Sequence, residues 1–230
     1  MDDLYCAQVI EKRPVAEAQV LLTVDVPVEV WSAHLQPAQY VDLVLPGMGP
    51  WRATIASRQG QEFFEFLVKE VGERSRRIAA LEPGEEIQIS RPKGEGFPLL
   101  MHRRHNLILA ACGVAICAMR PVILDILLAR SDWGRVLLFY GERTADRFAF
   151  LDEQDKWREG KVEIFLSASR PAEGTQWKGH AGYVQDHILE TAPDTRDTVA
   201  FVAGKDEMID GVRLALGRLN LADNKIILNV

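Results

Sequence analysis

The sequence predicts two unlike domains in tandem, a small antiparallel β-barrel and then a parallel α/β sheet, and three observations carry this. Residues before about position 100 fall into short β-rich runs separated by breakers. From Asn106 onward, continuous apolar runs alternate with helical segments, the grammar of a parallel sheet buried on both faces. Between the two lies Gly94-Glu95-Gly96-Phe97-Pro98, where Gly and Pro cluster as at a join. A chain of 230 residues can bury both cores.

In the first half, strands are predicted over residues 18–24, 40–45, 53–56, 63–71 and 86–90, with one helix near 75–81. Pro46-Gly47-Met48-Gly49-Pro50 and Glu82-Pro83-Gly84 break the runs between them, the spacing of a small antiparallel barrel. In the second half, strands are predicted over 107–111, 136–140, 162–167, 199–203 and 226–228, and helices over 118–129, 152–159 and 208–219. The expected domains are 1–99 and 100–230.

Composition narrows the function classes. Hydrophobic residues at 47% and charged residues at 26% are those of an ordinary globular protein. A net charge of -6, with basic runs isolated at 74–77 and 102–105, offers no field for a phosphate backbone, so no nucleic-acid partner is expected. Cys6, Cys112 and Cys117 match no common metal-ligand spacing, and reduced thiols point to a cytoplasmic protein. The acidic opening, Met1-Asp2-Asp3, does not read as a signal peptide. The longest apolar stretch, 107–119, falls short of the roughly 20 residues that a membrane helix needs, so no membrane span is expected. Neither a metal-binding histidine set nor a Gly-x-Ser-x-Gly or His-Glu-x-x-His motif is present.

The chemistry concentrates where strands meet helices. The first strand-to-helix turn of the α/β half is Ala111-Cys112-Gly113-Val114-Ala115-Ile116. A helix N-terminus there would offer free N–H groups and a positive dipole end to a pyrophosphate. With a single glycine, the turn taken alone fits an ordinary βα connection better than a phosphate loop.

A wider set of residues resembles the ferredoxin-NADP reductase superfamily, particularly the electron-transfer subunits of hydrogenases and dihydroorotate dehydrogenases, along nearly the whole chain. In the barrel half, Gln39-Tyr40-Val41 is similar to the family's Gly-Gln-Tyr/Phe strand, and Thr54-Ile55-Ala56-Ser57 to the end of its flavin motif. The run from Phe66 to Gly72, with Val71, Arg74 and Ser75, resembles the strand and turn that meet the flavin pyrophosphate. In the second half, Gly113-Val114-Ala115 stands at the family's glycine-rich loop, and Tyr140-Gly-Glu-Arg-Thr144 resembles Tyr-Gly-x-Arg-Thr. Ser169-Arg170-Pro171 resembles Asp-Arg-Pro, Trp177-Lys-Gly179 resembles Trp-x-Gly, and Gly204 through Met208 resembles the turn that ends in Gly-Pro-x-x-Met.

The resemblance implies a six-stranded barrel carrying FAD, a Rossmann-like domain admitting NADP or NAD, and hydride transfer between nicotinamide and flavin N5 in the cleft between them. It also implies a separate electron-transfer protein or subunit as partner, since the chain carries no cysteine-rich tail. Arg52 and Ser75 stand as flavin-phosphate contacts, set against a surface cation and a helix cap. Arg143 and Arg170 stand as grips on the adenosine end, set against surface ion pairs. Ser169, where relatives carry Asp, tilts the choice toward NADP. Trp51 stands in the register of the family's phosphate arginine, and Ala53 in that of its stacking aromatic. Ala203 replaces a cysteine that faces the nicotinamide in many relatives. These departures leave open a second function, a non-catalytic nucleotide-binding paralogue that keeps the fold.

Overall fold

Residues 3–171 and 177–229 are described by a computed structural model of the chain; Met1, Asp2 and Val230, at the ends of the two predicted domains, lie outside it. The longest strand is β1, Leu4–Ala16, which sequence patterning misses. Its register shifts between Val9 and Glu11 and again between Pro14 and Ala16, so its alternation of inward and outward residues is broken by bulges. It pairs with β2, Gln19–Asp25, and a one-turn helix α1, Val28–Trp31, follows.

The barrel continues with β3, Tyr40–Val44, β4, Trp51–Thr54, β5, Phe63–Lys69, helix α2, Glu73–Ala79, and β6, Glu86–Ser90. All six strands pair antiparallel in the order β4-β3-β6-β1-β2-β5. The free edges approach one another where the Ala56 N–H donates to the Glu65 carbonyl at 2.8 Å. That closure explains why β4 ends at Thr54 rather than running to Ala56. Ile55 and Ala56 leave the β3 ladder, the Ile55 N–H donating to the Gln39 carbonyl at 3.0 Å. The barrel core gathers Val9, Leu22, Val41, Leu43, Ile55, Phe64, Phe66 and Ile89, each at most 1% exposed.

The second sheet is parallel throughout. It holds β7, Asn106–Cys112, helix α3, Ile116–Leu128, β8, Val136–Glu142, and helix α4, Gln154–Glu159. These are followed by β9, Val162–Ala168, the two-residue β10, His180–Ala181, and helix α5, Val184–Thr191. The chain then forms β11, Thr198–Ala203, α6, Asp206–Arg218, and β12, Ile226–Leu228. Strand order is β10-β9-β8-β7-β11-β12. Every residue of β8 and β11 is buried, as expected of strands covered on both faces. Helix α5 is absent from the sequence expectation; only Val184 and Ile188 of its eight residues are buried, too thin a stripe to read.

One hydrophobic cluster spans both halves. Leu21, Ala38, Ala56, Leu67, Phe97 and Leu99 join Leu107, Ile116, Met119, Leu138 and Phe201 in a single core. Phe97, inside the predicted join, stacks on Phe201 of β11 with centroids 4.6 Å apart. The chain order of β7 reverses at its two neighbours, β8 and β11, so the crevice beyond their carboxyl ends is a topological switch point, and the barrel faces it.

Candidate active site: a cationic cleft between barrel and parallel sheet

A cleft of about 1500 Å³ opens between the barrel and the carboxyl ends of β7, β8, β9 and β11. It exceeds the roughly 300–1,000 Å³ usual for one small ligand. Seven cationic side chains line it, Arg52, Lys69, Arg74, Arg143, Arg147, Arg170 and Lys205, against three acidic ones, Glu73, Glu142 and Glu207. In a chain of net charge -6 this local excess of positive charge selects for an anionic ligand.

On the barrel side, Arg52, Ala53, Thr54, Val71, Gly72, Arg74 and Ser75 line the cleft. The Arg52 guanidinium lies over the Tyr40 ring, 4.1 Å from its centroid, held there by the β3–β4 pairing that sets Tyr40 opposite Thr54. Ser75 is the third residue of α2 rather than its cap. Its hydroxyl oxygen accepts from the Val71 and Gly72 N–H groups and its proton goes to the Gly72 carbonyl, all at 3.0 Å. Ser75 therefore shapes the turn, and its hydroxyl is committed to backbone rather than free for a phosphate.

Three expected site residues stand elsewhere. Ile55 and Ala56 are fully buried in the barrel core and in the shared core, and Ser57 accepts the Glu65 N–H at 3.1 Å behind them. The reason is the edge closure, which turns the chain inward after Thr54. Ala53 is 4% exposed and packs in the barrel core, offering little surface to a ring. Trp51 is half-buried at the cleft's edge, where the family register places an arginine.

On the sheet side, Gly113, Val114 and Ala115 form a one-turn 3-10 helix that leads into α3, with Gly113 at φ +59°. This is the left-handed region that glycine enters without strain. The loops after β8 and β9 are tied together. The Ser169 N–H donates to the Glu142 carbonyl at 3.0 Å and the Arg170 N–H to the Arg143 carbonyl at 2.8 Å, which brings Arg143, Ser169 and Arg170 to one rim. After β11, Gly204 is pressed by Cys112 and Met208: a Cβ there would lie 2.9 Å from the Cys112 Sγ and 2.9 Å from the Met208 Sδ. Burial pushes the Cys112 thiol pKa up, so it stands protonated in the cleft.

Sequence reading missed Lys69, Glu142, Arg147, Tyr183 and Lys205, all of which line the cleft. Glu142 is the informative one. Its side chain is 3% exposed, an ionisable residue in a strand otherwise built of apolar residues and glycine, and that contrast was the available signal. Among the described residues no cluster of His, Cys, Asp and Glu is arranged to hold a metal ion, and no helix is long and apolar enough to cross a membrane.

Comparison with known proteins agrees with this architecture. Residues 109–214 match the family model of the oxidoreductase NAD-binding domain. The gamma subunit of sulfhydrogenase 1 from Pyrococcus furiosus is 27% identical over 82% of this chain and 64% of its own length. The cytochrome P450 reductase of Amycolatopsis superposes with a TM-score of 0.85 at 18% identity, covering 100% of this chain and 70% of that one. A ferredoxin NADP+ reductase from Neisseria gonorrhoeae, solved with bound FAD and NADP, gives 0.78 at 13% identity over 99% of this chain and 98% of that one. At these identities the structural likeness is one of fold. The chain spans about half to two thirds of the length of the curated relatives it matches. The barrel and the parallel sheet together have the fold of these reductases. The likeness to an oxidoreductase NAD-binding domain lies in residues 109–214, which follow the six-stranded antiparallel barrel.

Proposed function

We propose that the chain is a flavin-dependent NAD(P)H oxidoreductase, divided into barrel and nucleotide domains near residue 99, that passes electrons to a separate redox protein or subunit. The single observation that carries this is the cleft, in which a phosphate-sized cationic lining from the barrel faces the loop and rim of the NAD-binding domain. FAD, when bound, supplies the exchange of a hydride for single electrons.

The residues present fit such a cofactor at its phosphates better than at its ring. Arg52, Arg74 and the turn Val71-Gly72 offer positive charge and open backbone, since nothing lies within 4 Å of where a Gly72 side chain would stand. Tyr40, held under Arg52, offers an aromatic surface in the cleft beside β4. On the other wall, Gly113-Val114-Ala115 and Lys205 would meet a pyrophosphate, with Arg143 and Arg170 at the adenosine end. Ser169 leaves the rim without a carboxylate at that position, which favours the extra phosphate of NADP over NAD. The partner is proposed to be a separate protein because the sulfhydrogenase relative is itself one subunit of an assembly.

The deciding experiment is the visible spectrum of the purified protein before and after incubation with FAD and desalting, followed by anaerobic NADPH or NADH. Retained flavin bands that bleach with either nucleotide are expected. A colourless protein that takes up no flavin overturns the reductase reading and leaves a nucleotide-binding paralogue, for which the buried Ala53 speaks.

A further inference from the structure

Glu142 and Lys69 meet on the cleft floor from opposite domains. Glu142 ends β8 of the parallel sheet, Lys69 ends β5 of the barrel, and the Lys69 Nζ lies 3.4 Å from the Glu142 Oε2. The same oxygen accepts the Arg143 N–H at 3.3 Å. The second oxygen, Oε1, is buried with no hydrogen-bond partner among the described residues. It stands beside the phosphate-side loop, 3.9 Å from where a Gly113 Cβ would be.

A buried carboxylate with one long ion pair, one long backbone hydrogen bond and one empty oxygen is weakly held, and Lys69 is the cation that touches it. The other groups facing it are Arg147 beyond β8, Tyr140 on β8 and Cys112 at the end of β7. Burial keeps the Tyr140 phenol and the Cys112 thiol protonated, so Lys69 and Arg147 are the charges that keep Glu142 ionised. Burial works against them and raises its pKa above the usual carboxylate value.

We infer that Glu142 is an internal counter-anion that yields Lys69 to an incoming pyridine nucleotide and takes up a proton from solvent as it does so. This rests on the proposed nucleotide reading of the cleft. The nucleotide phosphate oxygen replaces the carboxylate at the Lys69 ammonium, and the carboxylate, now without the one cation in contact with it, is protonated to the carboxylic acid. No electrons move, and charge balances through the one proton gained. The change also reverses the sign of the site: a carboxylate that repels phosphate becomes an O–H that can donate toward the ligand beside Gly113. Nucleotide affinity thereby falls as pH rises, because the protonated form is the one that binds.

The test is calorimetric titration of the intact protein with NADP+ and with NAD+ in buffers of different ionisation enthalpy, across about pH 5 to 8. The expected result is uptake of up to about one proton per nucleotide. Glu142→Gln, which has no charge to neutralise, should bind about tenfold tighter at the upper end of that range and take up no proton. Lys69→Met should take up less than the parent protein, because removing that cation raises the Glu142 pKa further before the ligand arrives. Infrared difference spectra should show a protonated carboxyl band appearing on binding in the parent protein and absent in Glu142→Gln. Nucleotide binding without proton uptake, or equal uptake in Glu142→Gln, overturns the inference and leaves the nucleotide site standing. Failure of a folded protein to bind either nucleotide overturns both.

Discussion

The guanidinium of Arg120 on α3 meets the carboxylate of Glu65 on β5 at 2.6 Å, in a contact that joins the two domains beneath the cleft. Arg120 also reaches Glu153 at 2.8 Å and donates to the Ala56 carbonyl at 2.9 Å, at the closure of the barrel. Its side chain is 9% exposed and that of Glu65 14%, so neither charge has water to fall back on. Arg120→Met should destabilise the protein by about 3–5 kcal/mol, the cost of leaving buried carboxylates without their cation. Urea unfolding measures it. The double variant Arg120→Met with Glu65→Gln should lose less than the two single losses added together.

Acid should destabilise the folded chain through a histidine in the barrel. His34 is 3% exposed with neither ring nitrogen hydrogen-bonded, packed edge-on against Phe64, and burial lowers its pKa from 6.5 to about 4. The unfolded chain binds this proton more readily than the folded one. The folded state therefore has its full stability above about pH 6.5 and loses it as pH falls toward 4, by up to about 3 kcal/mol. In His34→Leu, the urea midpoint should fall less between those pH values than in the parent protein.

The rim residues should sort the nucleotides. With Ser169 and Arg170 tied to Glu142 and Arg143 by backbone hydrogen bonds, Ser169→Asp places a carboxylate beside Arg170 at the rim. It should weaken NADP(H) binding relative to NAD(H) by about tenfold or more. Competitive titration of both nucleotides against the same variant gives the ratio directly, and an unchanged ratio would remove Ser169 from the specificity argument.

Gly113→Ala should cost both stability and affinity. At φ +59° an alanine is strained by about 1–2 kcal/mol. Its methyl also stands where a phosphate would approach the loop, although protein atoms leave it room, with Glu142 Oε1 at 3.9 Å. Thermal unfolding reads the strain, and a nucleotide affinity reduced by more than the stability loss predicts reads the obstruction.

The parallel sheet was legible because its strands are buried on both faces and so appear as unbroken apolar runs; β12, Ile226–Leu228, falls where patterning predicts it. The barrel was less so. In β1 the sequence Glu11-Lys12-Arg13-Pro14 hides a strand whose bulges break the alternation and whose charges pair outward, Lys12 with Glu82 and Arg13 with Asp152. Most of the expected site residues do gather at one cleft, since loop and turn motifs carry their geometry locally. Ile55, Ala56 and Ser57 do not, because the closing of the barrel buries them where Ala56 meets Glu65 across its two free edges, a contact that depends on all six strands being in place. Lys69 and Glu142 escaped notice for the same reason: each is unremarkable alone, and only the docking of the two domains makes them a pair.

The stacking of Phe97 on Phe201, within a core drawn from both halves, makes the joint between the domains part of the folding unit rather than a hinge. Cutting the chain there would strip Leu107, Leu138 and Phe201 of the neighbours that keep them dry. The parallel-sheet half produced by itself should be sticky, whereas the whole chain should melt in one step however its ligands are distributed.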